Sequence, residues 1–262
     1  MNKFALVLIG HSFRTGLQGA RVVGNEDAYR PQKDASMSQL DFVKHIKSQH
    51  NYDCDICVCS VSTRYDNELI SWYGDKLADK ILINYRDSHS LQIHVDNGIR
   101  LIQNKTLYDF IFFMRIDLHL KSFMRKVFNP FSVEKITFPS ICFIPHHKFK
   151  ESPRVNDAMM MIPRKYYDLL GSIKLNHETW HDMRRKTWRG MFRKSLNHSD
   201  FDTLLDTYHD SDSYKDWNPL YFISGREKCL VWTSKGYVFN KITREPEKTS
   251  NEHMYDDFSC SI

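Results

Sequence analysis

A chain of 262 residues, 41% of them hydrophobic, can bury one large core or at most two small ones. Its formal net charge of +5 favours anionic partners but does not choose among nucleic acid, a membrane surface and a nucleotide. No long polar or low-complexity tract argues for disorder, and no apolar run approaches the roughly 18 residues of a membrane span, so no transmembrane segment is expected.

Residues 4–9 are continuously apolar and end at Gly10, the pattern of a strand buried on both faces. The run stops at His11 without a small-residue cleavage site. It therefore reads as a first strand rather than a secretory signal, and a cytoplasmic or membrane-peripheral location is expected. After a loop containing Gly and Arg, residues 38–50 open with a capping-type Ser38 and carry Leu40, Val43 and Ile46 at helical spacing. Next come a strand over 55–61, a short helix over 68–72, a strand over 80–84, and a helix over 90–103 with Leu91, Val95, Ile99 and Ile102 on one stripe. Residues 108–120 form the most strand-like run of the chain. Strands alternating with helices through this half predict an α/β fold, a Rossmann-like, mostly parallel central sheet flanked by helices. Farther on, 136–144 and 158–162 read as strands, 163–170 as a helix with Pro163 in its first turn, and 177–196 as a polar helix. Short strands are expected over 220–223 and 229–233.

Three of the six cysteines, Cys54, Cys57 and Cys59, crowd into one apolar run. Cys54-x-x-Cys57 has the spacing of half a zinc site, but Cys142, Cys229 and Cys260 are scattered singly and supply no second half. Reduced, buried strand thiols are the economical reading.

On a strand over 108–120, side chains alternate faces, so Arg115, Asp117 and His119 are expected on one side, with Ile116 and Leu118 on the other. Ligands of open α/β sheets collect at the carboxyl ends of strands, where a carboxylate can hold a hard divalent cation together with phosphate oxygens and water. The same residues also suit a plain Arg–Asp ion pair at a strand end.

The segment Tyr108-Asp-x-Ile-x-x-x-Arg115-x-Asp117-Leu resembles one found in small GT-A glycosyltransferases of surface-polysaccharide and large-DNA-virus glycan pathways, where R-x-D stands in place of D-x-D. Residues 4–15 are similar to that family's first strand and following turn, here carrying Gly10, Arg14 and Thr15. Asn156-Asp157, with Arg164 after six intervening residues, is similar to a later strand that lines donor and acceptor. The matches span about residues 4–170, in the family's order.

The resemblance implies one GT-A-like domain over residues 1–262, with a nucleotide-sugar-binding half to about residue 120 and a less regular acceptor side over 121–262. It implies transfer of a sugar, hexosyl or pentosyl, from a UDP-, GDP- or dTDP-sugar donor to a hydroxyl of a glycan or glycoprotein acceptor. Mn²⁺ or Mg²⁺ would sit on Asp117, with His119 as a helper. Gly10, Arg14, Thr15, Arg86, Arg115 and Asp117 would line the donor site. Asp157, with His146 behind it, would be the base. Each also has a plainer reading: a closed turn for Arg14 and Thr15, a simple turn for Arg86, a packed strand residue for His119, a cap or strand-end Asp for Asp157.

His177-Glu178-x-x-His181 matches the zinc-protease motif H-E-x-x-H, so a zinc metalloprotease is the rival reading. Against it stand Asn176 as a natural cap, the polar flank Asp182, Arg184, Arg185 and Lys186, and the lack of a recognisable third ligand. A non-catalytic nucleic-acid-binding module would rest on residues 184–193, where Trp188 and Phe192 lie among Arg and Lys, a composition that equally suits a solvated helix face. No recognisable nucleic-acid motif accompanies it, and no stable nucleic-acid partner is expected.

Overall fold

The computed structural model describes residues 2–15, 22–88, 91–102, 105–120, 124–142, 154–155, 159–172, 201–208, 220–222, 230–233 and 236–239. Its first half alternates strand and helix as expected. Strand β1 (Lys3–Gly10) leads into a small hairpin, β2 (Arg14–Thr15) and β3 (Val22–Val23). Helix α1 (Tyr29–His50), β4 (Asp53–Val61), α2 (Asp66–Tyr73), β5 (Leu77–Ile83) and α3 (Leu91–Leu101) follow. Then come β6 (Phe110–Arg115), β7 (Leu118–Leu120), the one-turn α4 (Met124–Val127), β8 (Ile136–Cys142), β9 (Arg154–Val155) and β10 (Met159–Pro163). The last described strands are β11 (Phe201–Tyr208), β12 (Leu220–Phe222), β13 (Leu230–Thr233) and β14 (Gly236–Phe239).

Among the described residues the central sheet has eight strands in the order β11-β8-β10-β6-β1-β4-β5, with β9 added on β8. Strands β5, β4, β1 and β6 run parallel, while β10 is antiparallel to both its neighbours. The chain starts on β1, builds outward through β4 to β5, then returns to β1's other side with β6. That reversal makes the carboxyl ends of β1 and β6 a topological switch point, the usual ligand position of such sheets.

Both faces of the sheet are covered, which is why its strands read as unbroken apolar runs. Phe4, Leu6, Leu8, Phe110, Phe112 and Met114 pack on one face against Phe42, Val43 and Ile46 of α1. Ala5, Val7, Ile9, Ile111 and Phe113 form the opposite core with Val95 of α3. Helix α3 comes close through Gly98, where a Cβ would sit 2.9 Å from Val7 Cγ1. The strand cysteines divide between these layers, Cys54 to the first and Cys57 and Cys59 to the second. All three are free thiols, and burial pushes Cys57 and Cys59 up to about 12, so they stay protonated packing groups.

Three expectations are corrected. Helix α1 begins at Tyr29, not Ser38: its buried stripe continues upstream through polar Gln32, Ser36 and Gln39, which conceal the periodicity. Ser38 is no cap; its hydroxyl donates to Ala35 O and accepts from Leu120 N. The run 108–120 is not one strand. Ile116 N–H donates to Ile9 O, the chain turns through Ile116 and Asp117, and β7 joins a second sheet of order β14-β13-β12-β7. Ile116, Leu118 and Leu120 stay buried in the same core throughout, so the apolar pattern gives no sign of the break. Finally, Pro163 closes β10, and Arg164–Ser172 coils as a 3₁₀ helix rather than an α-helix. The polar helix expected over 177–196 lies outside the described residues.

Candidate functional site

The carboxyl ends of β1 and β6 meet at a charged trio. The Asp117 carboxylate receives Arg115 in a two-point grip, Nε to Oδ1 at 2.9 Å and Nη2 to Oδ2 at 2.8 Å. Arg14 Nε donates to the same Oδ2 at 2.5 Å. Asp117 follows β6 and Arg14 follows the turn after β1, so the crossover topology brings together groups 103 residues apart in the chain. Side-chain exposure is 2% for Asp117, 6% for Arg14 and 17% for Arg115, which makes Arg115 the member that solvent reaches. Burial alone would push the Asp117 carboxyl up, but the neighbouring Arg115 and Arg14 charges outweigh it and hold the group well below the ordinary carboxylate range. Asp117 is therefore ionised at any physiological pH.

The turn that delivers Arg14 is braced from below. Gly10 has φ +111°, a conformation that L side chains rarely adopt, and Phe13 is held at φ +48°. Phe13 survives there because its ring is buried among Tyr29, Tyr65 and Trp72, and because its N–H donates to Gln32 Oε1 at 3.2 Å. Gln32 Nε2 in turn donates to Ile116 O at 3.0 Å, so one buried amide ties the β1 turn to the Asp117 turn. Gln39 adds bonds from Nε2 to Ile116 O and Leu118 O, and its Oε1 accepts from the Tyr73 hydroxyl at 2.7 Å. Ser60 at the end of β4 fixes Ser12 through both backbone and hydroxyl. These bracing residues escaped the sequence reading. The available signal was spacing: Gln32, Ser36 and Gln39 continue the stripe of Val43 and Ile46 at helical intervals.

Gln32→Leu tests the brace. It removes the acceptor of a buried N–H, which costs about 1–3 kcal/mol. The urea midpoint is expected to fall at unchanged m-value; an unshifted midpoint means that the Gln32 bridge contributes nothing.

Of the residues singled out from sequence, Gly10, Arg14, Arg115 and Asp117 are brought together. Thr15 follows Arg14 in β2, its backbone pairing with Val22. Arg86 is exposed in a turn after β5, on the same edge of the sheet but two strands from β1. His119 does not share a strand face with Arg115 and Asp117, because the turn intervenes; it is buried in β7 opposite Tyr221. His146, Asp157, the His177-Glu178-x-x-His181 motif and the basic run 184–193 lie outside the described residues.

The expected Mn²⁺ or Mg²⁺ on Asp117 fits poorly with this geometry. A carboxylate offers about four lone-pair directions, and three are occupied by guanidinium N–H groups. A dication on the remaining one would stand beside two guanidinium groups. Among the described residues, no group of three or more His, Cys, Asp or Glu side chains could hold a metal ion.

Fold and site together define an α/β protein with an arginine–aspartate cluster at the carboxyl ends of β1 and β6. No protein-family model and no curated protein matches the chain. Solved structures similar to it include a protein of Desulfovibrio desulfuricans G20 assigned as a nucleotide-diphospho-sugar transferase (16% identity, TM-score 0.38, 79% of this chain and 81% of that one). A glycosyltransferase involved in glycosylating the major capsid of PBCV-1 aligns at 8% identity and TM-score 0.34 over 72% and 70% of the two chains. Mouse xyloside xylosyltransferase 1 aligns at 11% identity and TM-score 0.37 over 78% and 85%. Superpositions this loose carry no chemistry across; the fold class rests on the observed strand order itself.

Proposed function

We propose that the chain is a glycosyltransferase that takes a nucleoside-diphosphate sugar as donor and transfers the sugar to a hydroxyl of a glycan or glycoprotein. The observation that carries the reading is the Arg14–Asp117–Arg115 trio at the switch point between the carboxyl ends of β1 and β6. The likeness of the Tyr108–Leu118 stretch and the Gly10–Thr15 turn to GT-A segments supports it.

In such a transfer the bond between anomeric carbon and diphosphate oxygen breaks, and its electron pair leaves with the diphosphate. Charge therefore grows on the leaving group, and preorganised arginines oppose it without reorganising. Gly10 lets the backbone turn sharply at the end of β1, which seats Arg14 and Thr15 beside the donor. Asp117 fixes the guanidinium of Arg115 in one plane, the geometry that grips phosphate oxygens in pairs. Arg86 would line the outer rim of the same edge. Asp157, with His146 second, is assigned as the base that takes the acceptor proton.

Thermal melting with UDP, GDP or dTDP tests the reading. A nucleotide at about a hundred times its Kd stabilises the native state by about 2.7 kcal/mol, which raises Tm by roughly 5–10 °C in a domain of this size. If all three nucleotides leave Tm unchanged at millimolar concentration, the transferase reading is wrong. For the nucleotide that binds, a screen of its sugar conjugates by nucleotide release identifies the donor and separates hexosyl from pentosyl transfer.

A further inference from the structure

The turn that delivers Arg14 carries an aromatic outcrop. Phe13 is fully buried, and its ring lies 6.0, 4.9 and 5.7 Å from those of Tyr29, Tyr65 and Trp72. Those three are only half-buried where they pack on the core. Tyr29 meets Tyr65 and Trp72 edge to face, at 5.1 and 5.4 Å, and each such contact uses one ring's edge and a single face of the other. The Tyr29 and Tyr65 hydroxyls and the Trp72 indole N–H make no hydrogen bond to the described residues and are not among the buried polar atoms, so water reaches all three. Bracing Phe13 needs the rings alone; the polar tips add nothing to it.

Tyr29 opens α1 after the β1 turn, and Tyr65 links the end of β4 to α2, so both stand at the carboxyl edge of the sheet. The outcrop adjoins the Arg14–Asp117–Arg115 cluster through the consecutive residues Phe13 and Arg14. Its rim is charged rather than apolar: Arg64 lies 4.8 Å above the Tyr65 ring, is 61% exposed, and meets Glu26 Oε2 at 3.9 Å. Ring faces bordered by hydroxyls, an indole N–H, a guanidinium and a carboxylate complement a molecule with C–H faces and many hydroxyls, which is a sugar. An apolar lipid or peptide would desolvate the charged rim without pairing it. Because Arg64 and Glu26 already offset each other, the complement is a neutral sugar.

We propose that Tyr29, Tyr65, Trp72 and Arg64 bind a neutral oligosaccharide, namely the part of the acceptor glycan beyond the sugar that is extended; this rests on the transferase reading. The outcrop grips remote units of the glycan, so it sets acceptor affinity and the preference for longer chains, and it takes no part in the bond-making step.

The full chain, fluorescently labelled, is applied to an array of neutral and sulfated oligosaccharides of increasing length with unglycosylated peptides as controls, and its melting is followed with UDP, GDP and dTDP in parallel. Binding to neutral oligosaccharides is expected, stronger for longer ones. Trp72→Ala is expected to weaken it at least about fivefold, the loss of one ring face. Tyr29→Phe combined with Tyr65→Phe keeps the rings that brace Phe13 and removes only two hydroxyls; it is expected to weaken glycan binding about 5- to 30-fold while the nucleotide-induced rise in Tm persists. That double variant also serves if the Trp72 variant does not fold. A nucleotide that raises Tm, together with no glycan binding or with wild-type glycan binding in the folded variants, overturns the proposal and leaves the transferase reading standing. Binding confined to sulfated spots and lost at high salt reports charge instead of ring faces, and binding to the peptides reports a protein partner; either overturns it. If no nucleotide raises Tm, the transferase reading falls and the proposal falls with it.

Discussion

Asp117→Ala is expected to lose at least about 100-fold in sugar transfer and to lower stability by about 3–5 kcal/mol at once. The first effect follows because Arg115 loses the contact that fixes its plane, and with it the preorganised charge. The second follows from burial: with Asp117 at 2% exposure, its removal takes away the buried carboxylate that both guanidinium groups contact. Asp117→Asn separates shape from charge, since the amide keeps the volume but cannot balance two cations. Its pH profile is diagnostic. The carboxyl's folded pKa is depressed, so its stabilisation is complete above the unfolded value of about 3.9 and is lost as pH falls through the folded value. The stability gap between wild type and Asp117→Asn should thus be level from neutral pH to about pH 5 and close only in stronger acid. A gap that already closes between pH 8 and pH 6, or no gap at all, would show that the carboxylate is not held by the arginines; unchanged turnover would remove Asp117 from the site.

The second large effect is structural. Phe112 is fully buried at the centre of β6, with the rings of Phe110, Phe128, Phe4 and Phe42 at 4.9, 5.0, 5.4 and 6.2 Å. Phe112→Ala removes a ring from a cluster that the neighbouring strand and α1 cannot close over, and costs about 3–5 kcal/mol. At roughly 2–4 °C per kcal/mol, Tm falls by roughly 6–20 °C. Phe112→Leu should recover more than half of that loss. A change below about 1 kcal/mol for the alanine variant would contradict the packing described for this face.

Where apolar pattern alone decides the structure, the sequence reading and the fold agree. Residues 4–9 and 55–61 became the paired strands β1 and β4, and the stripe through Val95 became α3. Agreement fails where polar groups take core positions. Gln32 and Gln39 are buried because their amides satisfy backbone groups of two distant turns, partners that no local pattern can reveal. The break after Arg115 was invisible for the converse reason: the same apolar alternation serves two different sheets. At the site, Arg115 and Asp117 were legible as a pair two residues apart. Arg14 as the third member, at a distance of 103 residues, could be placed near them only through resemblance.

Strand β1 occupies the middle of the sheet, yet its two partners lie some 50 and 105 residues downstream, as the pairings Phe4 with Cys54 and with Phe110 show. During synthesis at about 5–20 residues per second, the first strand therefore leaves the ribosome and waits roughly 5–20 s before its second neighbour exists. Throughout that interval a six-residue oily segment has at least one open edge. The nascent chain is thus a natural client for chaperones, and a fragment ending before residue 110 should aggregate rather than fold.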